Sequence, residues 1–176
     1  AGCSGKKETS TTNGSQQQTT KTDAKKDDQS SEGTINLSKP GQFPITDQKV
    51  TLTVLIGGNA AVEDFNTNEF TKWYEEKTNV HAEFETLPVK EGTEKLNLIL
   101  AAGDYPDIIM SAGLTASQIA SFGSQGAFLA LNDMIEEHGF EIKKVFEEKG
   151  MEYVKSLITF PDGNIYAMPD INQCYH

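Results

Sequence analysis

Three short stretches carry the side chains best suited to holding a small polar molecule: Asn59, Glu63 and Asp64; Ser111, Ala112 and Gly113; and Asp170, Asn172, Gln173 and Tyr175. Amides and carboxylates hold donors and acceptors in a plane and pair with neighbouring hydroxyls, and an aromatic ring offers a flat face to C–H surface. Small residues let a ligand approach bare backbone. Several of these positions also have a plainer use. Glu63 and Asp64 precede a helical stretch and serve equally well to complement its positive end. Asp107, after Pro106, fits a turn or cap better than a site, and Trp73 and Tyr74 fit core packing better than stacking. Tyr175 is the better stacking candidate. Covalent and cofactor chemistry lacks its motifs: there is no Gly-x-Ser-x-Gly, His-Glu-x-x-His or Walker loop, and no Gly-x-Gly-x-x-Gly after the first strand. His81, His138 and His176 are far apart and no Cys-x-x-Cys occurs, so neither a metal nor a cofactor is expected.

The elements that must position these groups read as alternating strands and helices. Val50, Leu52, Val54 and Ile56 alternate with Thr51, Thr53 and Leu55, the period of a strand, and enough apolar residues fall on both sides for an inner one. Gly57-Gly58-Asn59 ends it. Residues 66–78 open on capping types and place Phe70, Trp73, Tyr74 and Lys77 at helical spacing, predicting an amphipathic helix with an aromatic inner face. Val80, Ala82 and Phe84 predict a second strand with one polar face. A helix from Thr93 carries Leu96, Leu98, Ile99 and Leu100 and closes at Gly103, and Ile108, Ile109 and Met110 form a short buried strand. This order is the βαβ unit, so the sheet is mainly parallel. Further on, the spacing predicts helices over 115–122, 132–139 and 142–156, a turn at Pro161-Asp162-Gly163-Asn164, and a strand over 165–168. In such sheets ligands bind beyond the carboxyl ends of the strands, which is where the three candidate stretches fall.

The ends of the chain differ from its middle. Residues 1–34 contain no Val, Ile, Leu, Met, Phe, Tyr or Trp, so nothing there offsets the entropy of ordering a backbone, and a disordered tether is expected. Residues 35–48 read as an extended linker, with Pro40 and Pro44 blocking helix. Of the net charge of −11, residues 1–40 hold +1 and the remainder −12, and there is no Arg. A basic field and guanidinium forks are both missing, which argues against a nucleic-acid partner. Two cysteines, Cys3 and Cys174, cannot make a disulfide framework. The chain stops at His176 just after the last expected strand, and a fragment of a longer protein is expected.

Two resemblances add to this. Ala1-Gly2-Cys3-Ser4-Gly5, ahead of a polar leash, resembles the processed end of a bacterial lipoprotein. That resemblance implies a lipid on Cys3, with Ala1 and Gly2 left from a cleaved signal. Acyl chains contribute about 0.8 kcal/mol per buried methylene, so two of them anchor without a spanning helix, and the leash reaches roughly 30 Å from a membrane face. The plain alternative for Cys3 is an ordinary thiol. Residues 49–169 resemble the amino-terminal half of an extracellular solute-binding protein of bacterial ABC importers, of the carbohydrate-binding group. Four places carry the likeness: Val50-Thr51-Leu52-Thr53-Val54-Leu55-Ile56-Gly57; Phe70-Thr71-Lys72-Trp73-Tyr74-Glu75-Glu76-Lys77-Thr78-Asn79-Val80; Ala101-Ala102-Gly103-Asp104-Tyr105-Pro106-Asp107-Ile108-Ile109; and Asp162-Gly163-Asn164-Ile165-Tyr166-Ala167-Met168-Pro169.

The resemblance implies an α/β, periplasmic-binding-protein-like type II fold, with a mainly parallel sheet flanked by helices in a first, incomplete lobe. It divides the chain into a lipid-anchored tether (1–34), a linker (35–48), an amino-terminal lobe (49–164) and a strand toward the hinge (165–176), with the second lobe absent. It implies a monomeric receptor on the outer face of a cell membrane. That receptor would take a carbohydrate, an oligosaccharide above all, by hinge closure and pass it to permease subunits without a covalent step. The ligand would meet Asn59, Glu63, Asp64, Ser111, Ala112, Gly113, Asp170, Asn172 and Tyr175. A peptide or other small-solute receptor of the same fold is the alternative. A surface-anchored glycoside hydrolase is a further one, because sequence does not place two carboxylates in space.

Overall fold

A computed structural model describes residues 34–171. The sequence VTLTVLIG forms strand β1 (Val50–Gly57). The chain then passes through helix α1 (Glu69–Thr78) to strand β2 (Val80–Leu87), and through helix α2 (Gly92–Ala102) to strand β3 (Ile108–Met110). The strands form a parallel sheet in the order β2-β1-β3, so β1 is the inner strand its two apolar faces require. Helices α3 (Ala116–Ser124), α4 (Asn132–His138), α5 (Phe140–Glu147) and α6 (Val154–Ile158) follow.

Side-chain caps set the helix limits. Asn68 Oδ1 accepts the Thr71 N–H at 2.9 Å at the start of α1, and Asn79, at φ 62°, ends it in the left-handed region. Thr115 and Gln118 form a reciprocal capping box that opens α3. The main core lies between the sheet and α2, where Leu55, Leu87, Leu96 and Leu100 are buried against Ile99, Ile109, Leu114, Phe122 and Phe128.

Four expectations are corrected. The helix read over 142–156 is two helices, α5 and α6. Between them Gly150 takes φ 90°, and its N–H donates to the Glu152 carboxylate at 2.8 Å, a turn that a continuous helix cannot contain. The strand read over 165–168 is a single antiparallel bridge, Thr159 with Ile165, and it lies outside the sheet. Ile165 is instead held by Leu131 and Asn132, whose N–H and Oδ1 bond its carbonyl and N–H at 2.7 and 2.9 Å. The aromatic residues of α1 face outward in part: Phe70 is 69% and Trp73 52% exposed, while Thr71 and Thr78 are the side chains the helix buries. Residues 35–48 are not simply extended. Leu37 bridges Thr46, the Ile45 N–H donates to the Thr78 carbonyl at 2.9 Å, and Asn79 Nδ2 donates to the Thr46 carbonyl at 2.9 Å.

Candidate functional site

The carboxyl ends of the three strands meet at bare backbone. A Cβ on Gly57 would collide with the Ser111 carbonyl oxygen, and one on Gly58 with the Leu87 carbonyl oxygen, so only glycine lets the loops after β1, β2 and β3 come this close. Ser111 itself lies at φ 46° and Gly113 at φ 77°. A left-handed conformation is uncommon for serine, and such residues cluster where a backbone is held for binding. Asn59, Ser111 and Gly113 are exposed at this junction and Ala112 is half-buried.

What brings β3 into place is Asp107. Its Oδ2 accepts both the N–H and the hydroxyl of Thr53 at 2.8 Å, and its own N–H donates to Thr53 Oγ1 at 3.0 Å. The Thr53 N–H, and then its hydroxyl, hold the Asp107 carboxyl below the usual carboxylate range. Asp107 therefore joins β3 to β1. It is the turn-type residue its position after Pro106 suggests.

The candidate acids after β1 divide. Asp64 is an organising residue. Its Oδ1 accepts the Asn66 N–H at 2.8 Å, its Oδ2 accepts the Thr67 hydroxyl at 3.0 Å, and these bonds, the Asn66 N–H first, hold its carboxyl below the ordinary range. Asn59 Oδ1 accepts the Ala61 N–H at 2.9 Å in a local turn. Glu63 is exposed and makes no hydrogen bond or ion pair among the described residues. Asp170 is exposed, and because residues 165–168 do not join the sheet it does not stand at a strand end beside the others. Cys3, Asn172, Gln173 and Tyr175 lie outside the described residues.

A groove adjoins Glu63 and Asp64. This groove of about 960 Å³ runs over the other face of the sheet, with Leu52, Val54 and Ile56 of β1, Val80, Ala82 and Phe84 of β2, and Ile108 and Met110 of β3 along its floor, and Glu63, Asp64 and Phe65 of the following loop and Phe70, Thr71 and Tyr74 of α1 along its side. Its lining is mainly hydrocarbon, which suits packing of apolar side chains and not a hydroxyl-rich solute. Among the described residues no group of three or more His, Cys, Asp or Glu side chains gathers as a metal site, and no helix is long and apolar enough to cross a membrane.

Sequence reading missed two partners in this region, Thr53 and Asn66. The only trace of the first is a polar residue on an inner strand, and nothing in the sequence ties it to Asp107, far along the chain.

An open parallel sheet with glycine at its strand ends defines a small-molecule-binding α/β fold. The chain belongs to the family of bacterial extracellular solute-binding proteins, whose family model matches residues 56–169. It is 30% identical over 131 residues to the fructooligosaccharide ABC transporter substrate-binding protein FusA of Streptococcus pneumoniae serotype 4, covering 74% of this chain and 24% of that protein. It superposes on the solved structure of FusA in complex with kestose with a TM-score of 0.64 at 28% identity, over 70% of this chain and 25% of that one. The alginate-binding protein AlgQ2, solved without calcium ion, gives a TM-score of 0.58 at 31% identity, again over 70% of this chain and 25% of that one. The fold is thus periplasmic-binding-protein-like of type II, represented by part of one domain, and the chain spans about a quarter of the length of the relatives it matches. FusA is a substrate-binding protein of an ABC transporter.

Proposed function

We propose that this chain is the opening part of a receptor for an oligosaccharide, which it captures outside the cell and delivers to the permease of an ABC importer. The observation that carries this reading is the meeting of the β1 and β3 ends, where Gly57 abuts the Ser111 backbone and exposes Asn59, Ser111 and Gly113 together. Hydroxyls of a neutral sugar match such backbone and amide groups, and the acidic body disfavours anionic solutes. The fructooligosaccharide relative supports the substrate class. The remaining lobe would come from further sequence of the same polypeptide, and closing the two lobes on the ligand shifts an open population to a closed one without a covalent step. The protein works as a monomer held to the membrane by a lipid on Cys3, with residues 1–34 as its leash.

Calorimetry on the natural polypeptide that carries this chain tests the reading, with fructo-oligosaccharides, uronate oligomers and short peptides as ligands. Saturable heat with a neutral oligosaccharide, and recovery of that sugar unchanged, is the expected result. Heat with peptides alone would replace the substrate class, and cleaved sugar would make the protein a hydrolase. For the anchor, mass spectrometry should find acyl chains on Cys3, and Cys3→Ala should release the protein from cells. Retention of the variant counts against the leash.

A further inference from the structure

Residues 58–68, which carry Asn59 and Glu63, are tied down at a point where no cap or strand requires it. The side chain of Asn66 lies against β2: Oδ1 accepts the Phe84 N–H at 2.8 Å and Nδ2 donates to the Phe84 carbonyl at 3.1 Å. β2 is an edge strand whose other side pairs with β1, so this amide occupies the free edge as a peptide group of one more strand would. The amide is itself held. Asp64 Oδ1 accepts from both the backbone N–H and Nδ2 of Asn66, at 2.8 and 3.3 Å, and the Phe65 ring stands 5.7 Å from that of Phe84. Downstream, Asn68 Nδ2 and the Thr71 hydroxyl both donate to the Phe65 carbonyl, at 2.9 and 2.7 Å, fastening the loop to the start of α1.

Resting on the capture role proposed above, we infer that Asn66 is a positioning residue of the binding site: by latching the loop to the edge of β2 it holds Asn59 and Glu63 in place before a ligand arrives. A loop ordered in advance does not lose that freedom on binding, and the affinity gains accordingly. Glu63, which makes no hydrogen bond or ion pair among the described residues, depends on the latch for its place.

The test uses the natural polypeptide with Asn66→Ala and Asn66→Asp, read by oligosaccharide calorimetry, thermal midpoint, and amide exchange of residues 58–68 without ligand. Asn66→Ala should weaken binding by about tenfold, speed exchange across 58–68, and leave exchange in β1 and α2 unchanged. At neutral pH Asn66→Asp should bind as weakly, because a carboxylate cannot donate to the Phe84 carbonyl. Its affinity should recover as the new acid protonates. Glu63 and Asp64 of the loop and Glu83 and Glu85 of β2 lie near it, so wild type at each pH is the reference.

Wild-type affinity in Asn66→Ala with a lowered midpoint would overturn the inference and leave Asn66 a staple of the fold. Self-association with unchanged affinity would overturn it too, making the amide a guard of the strand edge. Should Asn66→Ala fail to fold, the pH dependence of Asn66→Asp decides, and a flat profile overturns the inference. If wild type binds no oligosaccharide at all, the capture role fails instead, and faster exchange of 58–68 in Asn66→Ala still supports the latch.

Discussion

On the side of the sheet facing α2, Leu55 and Leu87 are closed in by Leu96 and Leu100, although the same side carries Thr51, Thr53, His81, Glu83 and Glu85 toward the strand starts. The opposite side presents Leu52, Val54, Ile56, Val80, Ala82, Phe84, Ile108 and Met110, interrupted by Thr86 beside Ile56, and it is this side that lies under the open groove. The more apolar face is covered over its middle, where Val54, Ile56, Val80 and Ala82 are buried, and open toward β3, where Ile108 and Met110 are exposed. The α2 face needs hydrophobic cover only over its carboxyl half, which α2, Phe122 and Phe128 supply. On the groove face α1 packs against β2, with Thr71 and Thr78 buried and Phe70 and Trp73 largely outward, and it leaves Ile108 and Met110 of β3 exposed. The strand ends that expose Asn59, Ser111 and Gly113 lie at the boundary of these two faces.

The contrast is open to attack in decreasing order of effect. Leu55→Ala removes a side chain 1% exposed in the closed core and should cost about 2–5 kcal/mol in denaturant unfolding. Leu52→Ala on the groove side should cost about 1 kcal/mol or less, because a half-buried side chain has less burial to lose. Equal costs would show that Leu52 is closed in after all. Gly57→Ala should destabilise by roughly 1–3 kcal/mol, since the added carbon meets the Ser111 backbone and cannot swing away. A variant as stable as wild type would mean that the β1 and β3 ends are not in contact.

Smaller effects test the links between strands. The Asp107 carboxyl, lowered from 3.8 by its bonds to Thr53, contributes stability that is present above its unfolded value and lost as pH falls through its lower folded value. The thermal midpoint of wild type should therefore drop below about pH 4. Asp107→Asn, neutral throughout, should start lower at pH 7 and converge with wild type in acid. Parallel pH curves would remove Asp107 from the account. Lys72→Ala breaks only the exposed pair with Glu69 and should leave the midpoint where it was.

The parts of the fold legible in the sequence were those with a local signal. Alternation in VTLTVLIG placed β1 at the centre, and Gly103 and Thr115 marked helix ends that the structure keeps. The helix read over 142–156 failed because apolar spacing continues through Gly150, whose left-handed turn periodicity does not register. The strand read over 165–168 failed for the opposite reason: its residues suit a strand, but Ile165 finds its partners in Leu131 and Asn132, a tertiary choice that no local pattern encodes. At the candidate site, the positions of Asn59, Ser111 and Gly113 followed from the strand ends. The organising role of Asp64 did not, because a carboxylate before a helix looks the same whether it serves a ligand or its own loop.

The central claim is that the solute binds at the strand ends and not along the apolar floor of the groove. Hydrogen exchange of the natural polypeptide, with and without a bound oligosaccharide, compares the two regions directly. The account predicts that ligand slows exchange in residues 57–64 and 111–115 and leaves Leu52, Phe84 and Ile108 as they were. Protection confined to Leu52, Phe84 and Ile108, with residues 57–64 and 111–115 unaffected, would contradict it.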